Sequence, residues 1–195
     1  MFLAAITTIQ GTAPYFIQFA FQVTIEKAAS MTGSLMLVVG LSTILTALPS
    51  GWLADRFGGK RLVGVSGGLA ALGTFLLLGT IWRPSITALY GIGIILGLAT
   101  GLFTTTNWAV GTTLVPAQEA GRYLGISNLA GAGAGMIGTG IGGPVADALN
   151  GYLPGLGYFA LFACYAGLLV LSVVSLRGVK EEKRLATEGT KFAEG

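Results

Sequence analysis

Residues 51–61 read Gly51-Trp52-Leu53-Ala54-Asp55-Arg56-Phe57-Gly58-Gly59-Lys60-Arg61, and they separate two stretches that carry no charge at all, 28–54 and 62–82. The same punctuation holds along the whole chain. Further charge-free runs cover 1–25, 84–118, 123–146 and 148–176. A helix of about 20 residues crosses roughly 30 Å of hydrocarbon. Every run is long enough, so the plain reading is six transmembrane helices. Barrel strands need only about 10 residues each and do not fit. A lone lipid-exposed segment must also satisfy its own backbone, which a helix does.

Composition agrees. Of 195 residues, 53% are hydrophobic, 10% are charged and 32 are glycine. A soluble domain is about one-quarter charged. Mean hydropathy is +0.77. This excludes an ordinary soluble enzyme, a disordered chain and a nucleic-acid binder. The expected fold is therefore an all-α membrane protein, with a six-span bundle over 1–176 and a charged tail over 177–195. Within the long fourth run, a helix is expected at about 85–114 with Val115 and Pro116 in its exit turn. Asn150, Gly151, Pro154 and Gly155 read as a loop before a last helix starting near Gly157. No basic segment or cleavage site marks Met1 as the start of a signal peptide.

Lysine and arginine set the orientation. Arg56, Lys60, Arg61, Arg122 and the tail's Arg177, Lys180, Lys183, Arg184 and Lys191 make nine on one side; Lys27 and Arg83 make two on the other. Both termini are expected in the cytoplasm, and the membrane is the plasma or inner membrane. The first span opens at Met1 without a cytoplasmic flank, which leads to the expectation that a segment precedes it.

Gly51, Ala54, Asp55 and Gly59 recur as Gly143, Ala146, Asp147 and Gly151 at a constant offset of 92. The copies end the second and the fifth span and so fall on opposite sides. That suggests two inverted three-helix repeats, about 1–82 and 84–176, as in many transporters. Four matches among small residues also arise by chance.

The 51–61 stretch resembles the cytoplasmic loop signature of the major facilitator superfamily: Gly, three residues, Asp, a basic residue, any residue, Gly, then basic residues. Gly59 departs from it where a basic residue is usual. The resemblance implies half of a twelve-helix transporter, with its C-terminal half favoured, and hence a partner: a second six-helix half, either the missing N-terminal one or a dimer mate. It implies a secondary carrier working by alternating access, no enzyme activity and no cofactor. Residues 108–128 are loosely similar to sugar–cation symporters of that superfamily, which implies a small-molecule substrate such as a sugar.

Gly51, Asp55, Arg56, Gly58, Lys60 and Arg61 form the candidate gating loop. Gly51 would allow close helix contact, Gly58 and Gly59 a tight turn. Asp55 would sit at the positive N-terminal end of the fifth helix near Arg122, closing that face. The simpler reading is a positive-inside anchor.

In the first span Thr8, Gly11, Tyr15, Gln18 and Gln22 share one helical face. Polar residues inside a membrane usually face a cavity or another helix. The resemblance places the first and fourth spans around the central cavity. Tyr15, Gln18, Gln22, Asn107, Trp108 and Asn128 are therefore the candidate substrate-binding residues; interhelical hydrogen bonding and interfacial anchoring are the plainer roles. No Asp, Glu, Lys or Arg falls inside any expected span, so no proton-carrying site is expected in this half. Glycines spaced by four, at 93, 97 and 101, at 131 and 135, and at 138 and 142, make ridges for close packing. Pro14 and Pro144 are expected to kink their spans.

Other signals fall away. Gly64-Val65-Ser66-Gly67 matches intramembrane serine proteases, but the chain has no histidine to activate a serine. Gly138-Thr139-Gly140-Ile141-Gly142-Gly143 satisfies a dinucleotide-binding pattern without the strand before it. One cysteine and no histidine argue against a metal site. A truncated or non-transporting membrane partner, a multidrug-type efflux carrier and a small channel remain as alternatives.

Overall fold

Each charge-free run becomes one helix, and three helices, the second, third and fifth, run past their run's limits. The computed structural model describes residues 1–114 and 119–176; of residues 110–114, 120, 123, 127 and 134 only the backbone is described. The helices are α1 (Phe2–Phe21), α2 (Ile25–Phe57), α3 (Gly59–Trp82), α4 (Ile86–Leu114), α5 (Ala120–Tyr152) and α6 (Leu156–Leu176). No strand occurs among the described residues. The tail over 177–195 and the exit turn at Val115 and Pro116 lie outside them.

Charges sit in the end turns rather than beyond them, where long side chains can reach water. Glu26 occupies the first turn of α2 and Arg56 its last, each favourable at that end of the helix dipole. Thr24 caps α2 by accepting from the Lys27 amide at 3.4 Å. Asp55 and Asp147 are likewise helical, not in loops. Asp147 lies inside α5, five residues short of its end.

The turns are short. Gly58 alone separates α2 from α3, at φ 89, a conformation that residues with a Cβ rarely adopt. The tight turn expected of Gly58 and Gly59 therefore rests on Gly58, because Gly59 already begins α3. Gln22 closes α1 in the left-handed region. Between α5 and α6, Gly155 takes φ 88, and the Asn150 side-chain oxygen accepts from the Gly157 amide at 2.9 Å.

Among the described residues four helices, α2, α3, α4 and α6, are long and apolar enough to cross a membrane. α1 and α5 are not among them, because α1 carries Thr7, Thr8, Gln10, Thr12 and Gln18 and α5 carries ten glycines, Arg122, Asn128 and Asp147.

Two parallel seams organise the bundle. Along α2 and α4, Leu35 meets Gly93, Val39 meets Gly97 and Thr43 meets Gly101; the numbers rise together, so the helices are parallel. Along α1 and α5, Leu3 meets Gly131, Thr7 meets Gly135 and Thr8 meets Gly138 in the same sense. α3 runs antiparallel to α6, with Trp82 against Phe159 and Gly67 against Val173. The core between these pairs holds Ile6, Ile9, Phe16, Ile17, Leu77, Leu89, Ile92, Leu96 and Phe162. Phe16 meets Tyr158 and Phe162 edge-on, with ring centres 5.3 and 5.2 Å apart. Chain direction alternates from helix to helix. One face carries Met1, the Gly58 turn, the end of α4 and the start of α5. The other carries the three remaining turns.

Candidate functional site

The polar face of α1 lies along α5. Thr8 is fully buried and its hydroxyl donates to the Ala4 carbonyl at 2.8 Å. It packs on Gly138, so its role is contact between helices. Gly11 faces Thr139. Beyond this point the seam opens. Tyr15 is 60% exposed and lines a cavity of about 350 Å³ with Gly11, Thr12, Thr139, Gly143, Pro144, Ala146, Asp147 and Tyr158. The cavity falls near the lower end of the size range of ligand pockets. Gln18 is half-buried and is not in its wall. Gln22 is exposed, and its amide nitrogen donates to the Phe19 carbonyl at 2.6 Å. It therefore caps α1 rather than lining a site.

Asp147, Thr12, Thr139 and Tyr158 are in this wall although the sequence reading did not select them. The offset of 92 had flagged Asp147, as the counterpart of Asp55. A span limit placed at each charge leaves Asp147 outside, whereas α5 continues five residues further, to Tyr152.

Asn107, Trp108 and Asn128 lie at the other end of the bundle. Phe103 stacks on Phe2 with ring centres 3.9 Å apart. α4 runs opposite to α1, so Asn107 and Trp108, a turn further along α4, lie level with the Met1 end. Tyr15 stands thirteen residues along α1 from Phe2, about 20 Å away at 1.5 Å per residue. Asn107, Trp108 and Asn128 are all exposed, Asn128 near the start of α5 on the same face. The structure thus divides the six candidates into two groups and does not bring them to one point.

At the 51–61 stretch, Asp55, Arg56 and Arg61 are exposed. The Arg56 guanidinium lies over the Trp52 ring at 5.2 Å and near the Phe57 ring at 5.8 Å, a cation–π arrangement. Asp55 has no hydrogen bond or ion pair among the described residues, and α2 and α5 are not a principal packed pair. A Cβ at Gly51 would meet nothing within 4 Å, so the close contact expected there is not made either. Lys60 and Arg61 lie in the first turn of α3. Among the described residues no group of His, Cys, Asp or Glu could hold a metal ion.

The sequence model of the Major Facilitator Superfamily matches residues 1–194, nearly the full chain. Comparison with curated proteins and with solved structures gave no match.

Proposed function

The chain belongs to the major facilitator superfamily and is a multi-pass membrane transporter, and from that premise we propose that it is one six-helix half of a carrier that moves a small solute by alternating access. All six helices cross the membrane, α1 and α5 included. The latter are less apolar because their polar faces meet each other and a water-filled cavity rather than lipid. The face bearing Met1 and the Gly58 turn is cytoplasmic, since Arg56, Lys60, Arg61 and Arg122 are on it.

Two inverted three-helix units, α1–α3 and α4–α6, are supported by the packing. Exchanging the units turns the α2–α4 seam into the α5–α1 seam, and both seams exist. The half is the C-terminal one, as the resemblance favours, and its substrate is a small solute. A second six-helix bundle covers the open side of the cavity, and Asp55 pairs with a basic group or helix end when the cytoplasmic face closes.

The observation that carries this reading is that the cavity opens between α1 and α5, the two helices without a long apolar stretch of their own among the described residues. The test is counterflow in liposomes, with the chain alone and with a co-expressed six-helix partner. Saturable, temperature-dependent exchange supports a carrier; flux linear in concentration would mean a channel. Cysteines at 59 and 150 check the topology: an impermeant reagent outside the cell should label position 150 and spare 59.

A further inference from the structure

The wall of the α1–α5–α6 cavity has an imbalance of hydrogen-bonding groups. The Thr12 hydroxyl donates to the Thr8 carbonyl at 2.9 Å. The Thr139 hydroxyl donates to the Gly135 carbonyl at 2.9 Å. Each hydroxyl has one hydrogen, so each of these oxygens can offer the cavity only lone pairs. The Asp147 carboxylate is acceptor-only when ionised. Tyr15 and Tyr158 supply the remaining hydroxyls and two aromatic rings. Among the described residues no lysine or arginine is in the wall. The cavity therefore has one negative charge and surplus acceptors, with ring faces that attract cations.

Size narrows the class further. At about 30 Å³ per water, the 350 Å³ space is far too large to replace the shell of a bare sodium ion. It suits a solute of roughly ten non-hydrogen atoms. An anion would meet Asp147 without a counter-charge. A neutral polyol would leave that charge uncompensated.

We propose that this cavity binds a small organic ammonium ion, with Asp147 as its counter-ion and Thr12 and Thr139 as acceptors for its N–H groups. The proposal gives the proposed carrier a substrate class and rests on that reading for its role in transport, but binding is measured without flux.

The experiment is saturation-transfer NMR on the full chain in detergent. Benzylammonium is the probe, with benzyl alcohol and phenylacetate as the neutral and anionic analogues. Benzylammonium should bind at least tenfold more tightly than benzyl alcohol, and phenylacetate should give no signal. Asp147→Asn should weaken benzylammonium at least tenfold. Thr139→Val should weaken it about threefold, and Glu26→Gln, remote in the first turn of α2, should leave it unchanged. Equal binding of the alcohol and the ammonium, or an Asp147→Asn protein that binds as before with unchanged circular dichroism, overturns the proposal. Ammonium binding without saturable counterflow would refute the carrier reading and leave this site standing. Saturable flux of a neutral solute without ammonium binding would do the reverse.

Discussion

The two glycine seams use the same residue for different ends. On α4, a Cβ at Gly97 would lie 2.5 Å from the Val39 carbonyl oxygen, and one at Gly101 would strike the Thr43 carbonyl. On α5, a Cβ at Gly131, Gly135 or Gly138 would meet only side chains, those of Leu3, Thr7, Thr8 and Tyr165. Backbone cannot step aside without moving a helix; side chains can rotate. The α2–α4 seam is therefore a fixed joint, in which helices pack by close van der Waals contact because lipid offers no hydrophobic drive. The α1–α5 seam is adaptable, and it is the one that opens into the cavity.

Substitutions at matched positions break or sharpen this contrast, measured as the free energy of unfolding in SDS. Gly97→Val should cost most, about 3 kcal/mol, because overpacking against a carbonyl has no relief. Gly138→Ala should cost about 1 kcal/mol, since Thr8 and Tyr165 can shift; a cost equal to that at Gly97 would erase the distinction. Thr43→Val removes a hydroxyl whose one hydrogen is shared between the Val39 carbonyl of its own helix at 2.8 Å and, across the first seam, the Gly97 carbonyl at 3.1 Å. Bonds of this kind average about 0.6 kcal/mol in membrane bundles, which is the loss expected. Gly11→Ala should have the smallest effect and the opposite sign, a gain of about 0.5 kcal/mol from helix propensity. Its new methyl would rest 3.4 Å from the Thr139 methyl, an ordinary contact.

The same contrast separates what the sequence discloses from what it conceals. Six helices follow from six charge-free runs. The four-residue glycine spacing announces that helices come close. It does not say whether a carbonyl or a hydroxyl lies opposite, since that depends on the partner helix's rotation. Three helices extend past their runs because Glu26, Lys27, Arg56, Lys60, Arg61 and Arg122 occupy end turns and Asp147 lies a turn further in. A rule that stops a span at each charge therefore placed Asp147 outside and missed the cavity. The polar face of α1 was legible from spacing. The axial level of Asn107 was not: it is set by the Phe2–Phe103 stack, a contact between residues 101 positions apart.

The connections differ in slack. α1 to α2, α3 to α4 and α5 to α6 are each joined by three residues, whereas α2 and α3 are joined by Gly58 alone. A rotation of α2 about its own axis must therefore be handed directly to α3 on the arginine-bearing face, while the far end of α3 keeps play. The two helices behave as a bent lever with its elbow at one residue. Lengthening that elbow by two glycines should decouple them, so that a label on α3 stops reporting ligand-driven movement of α2.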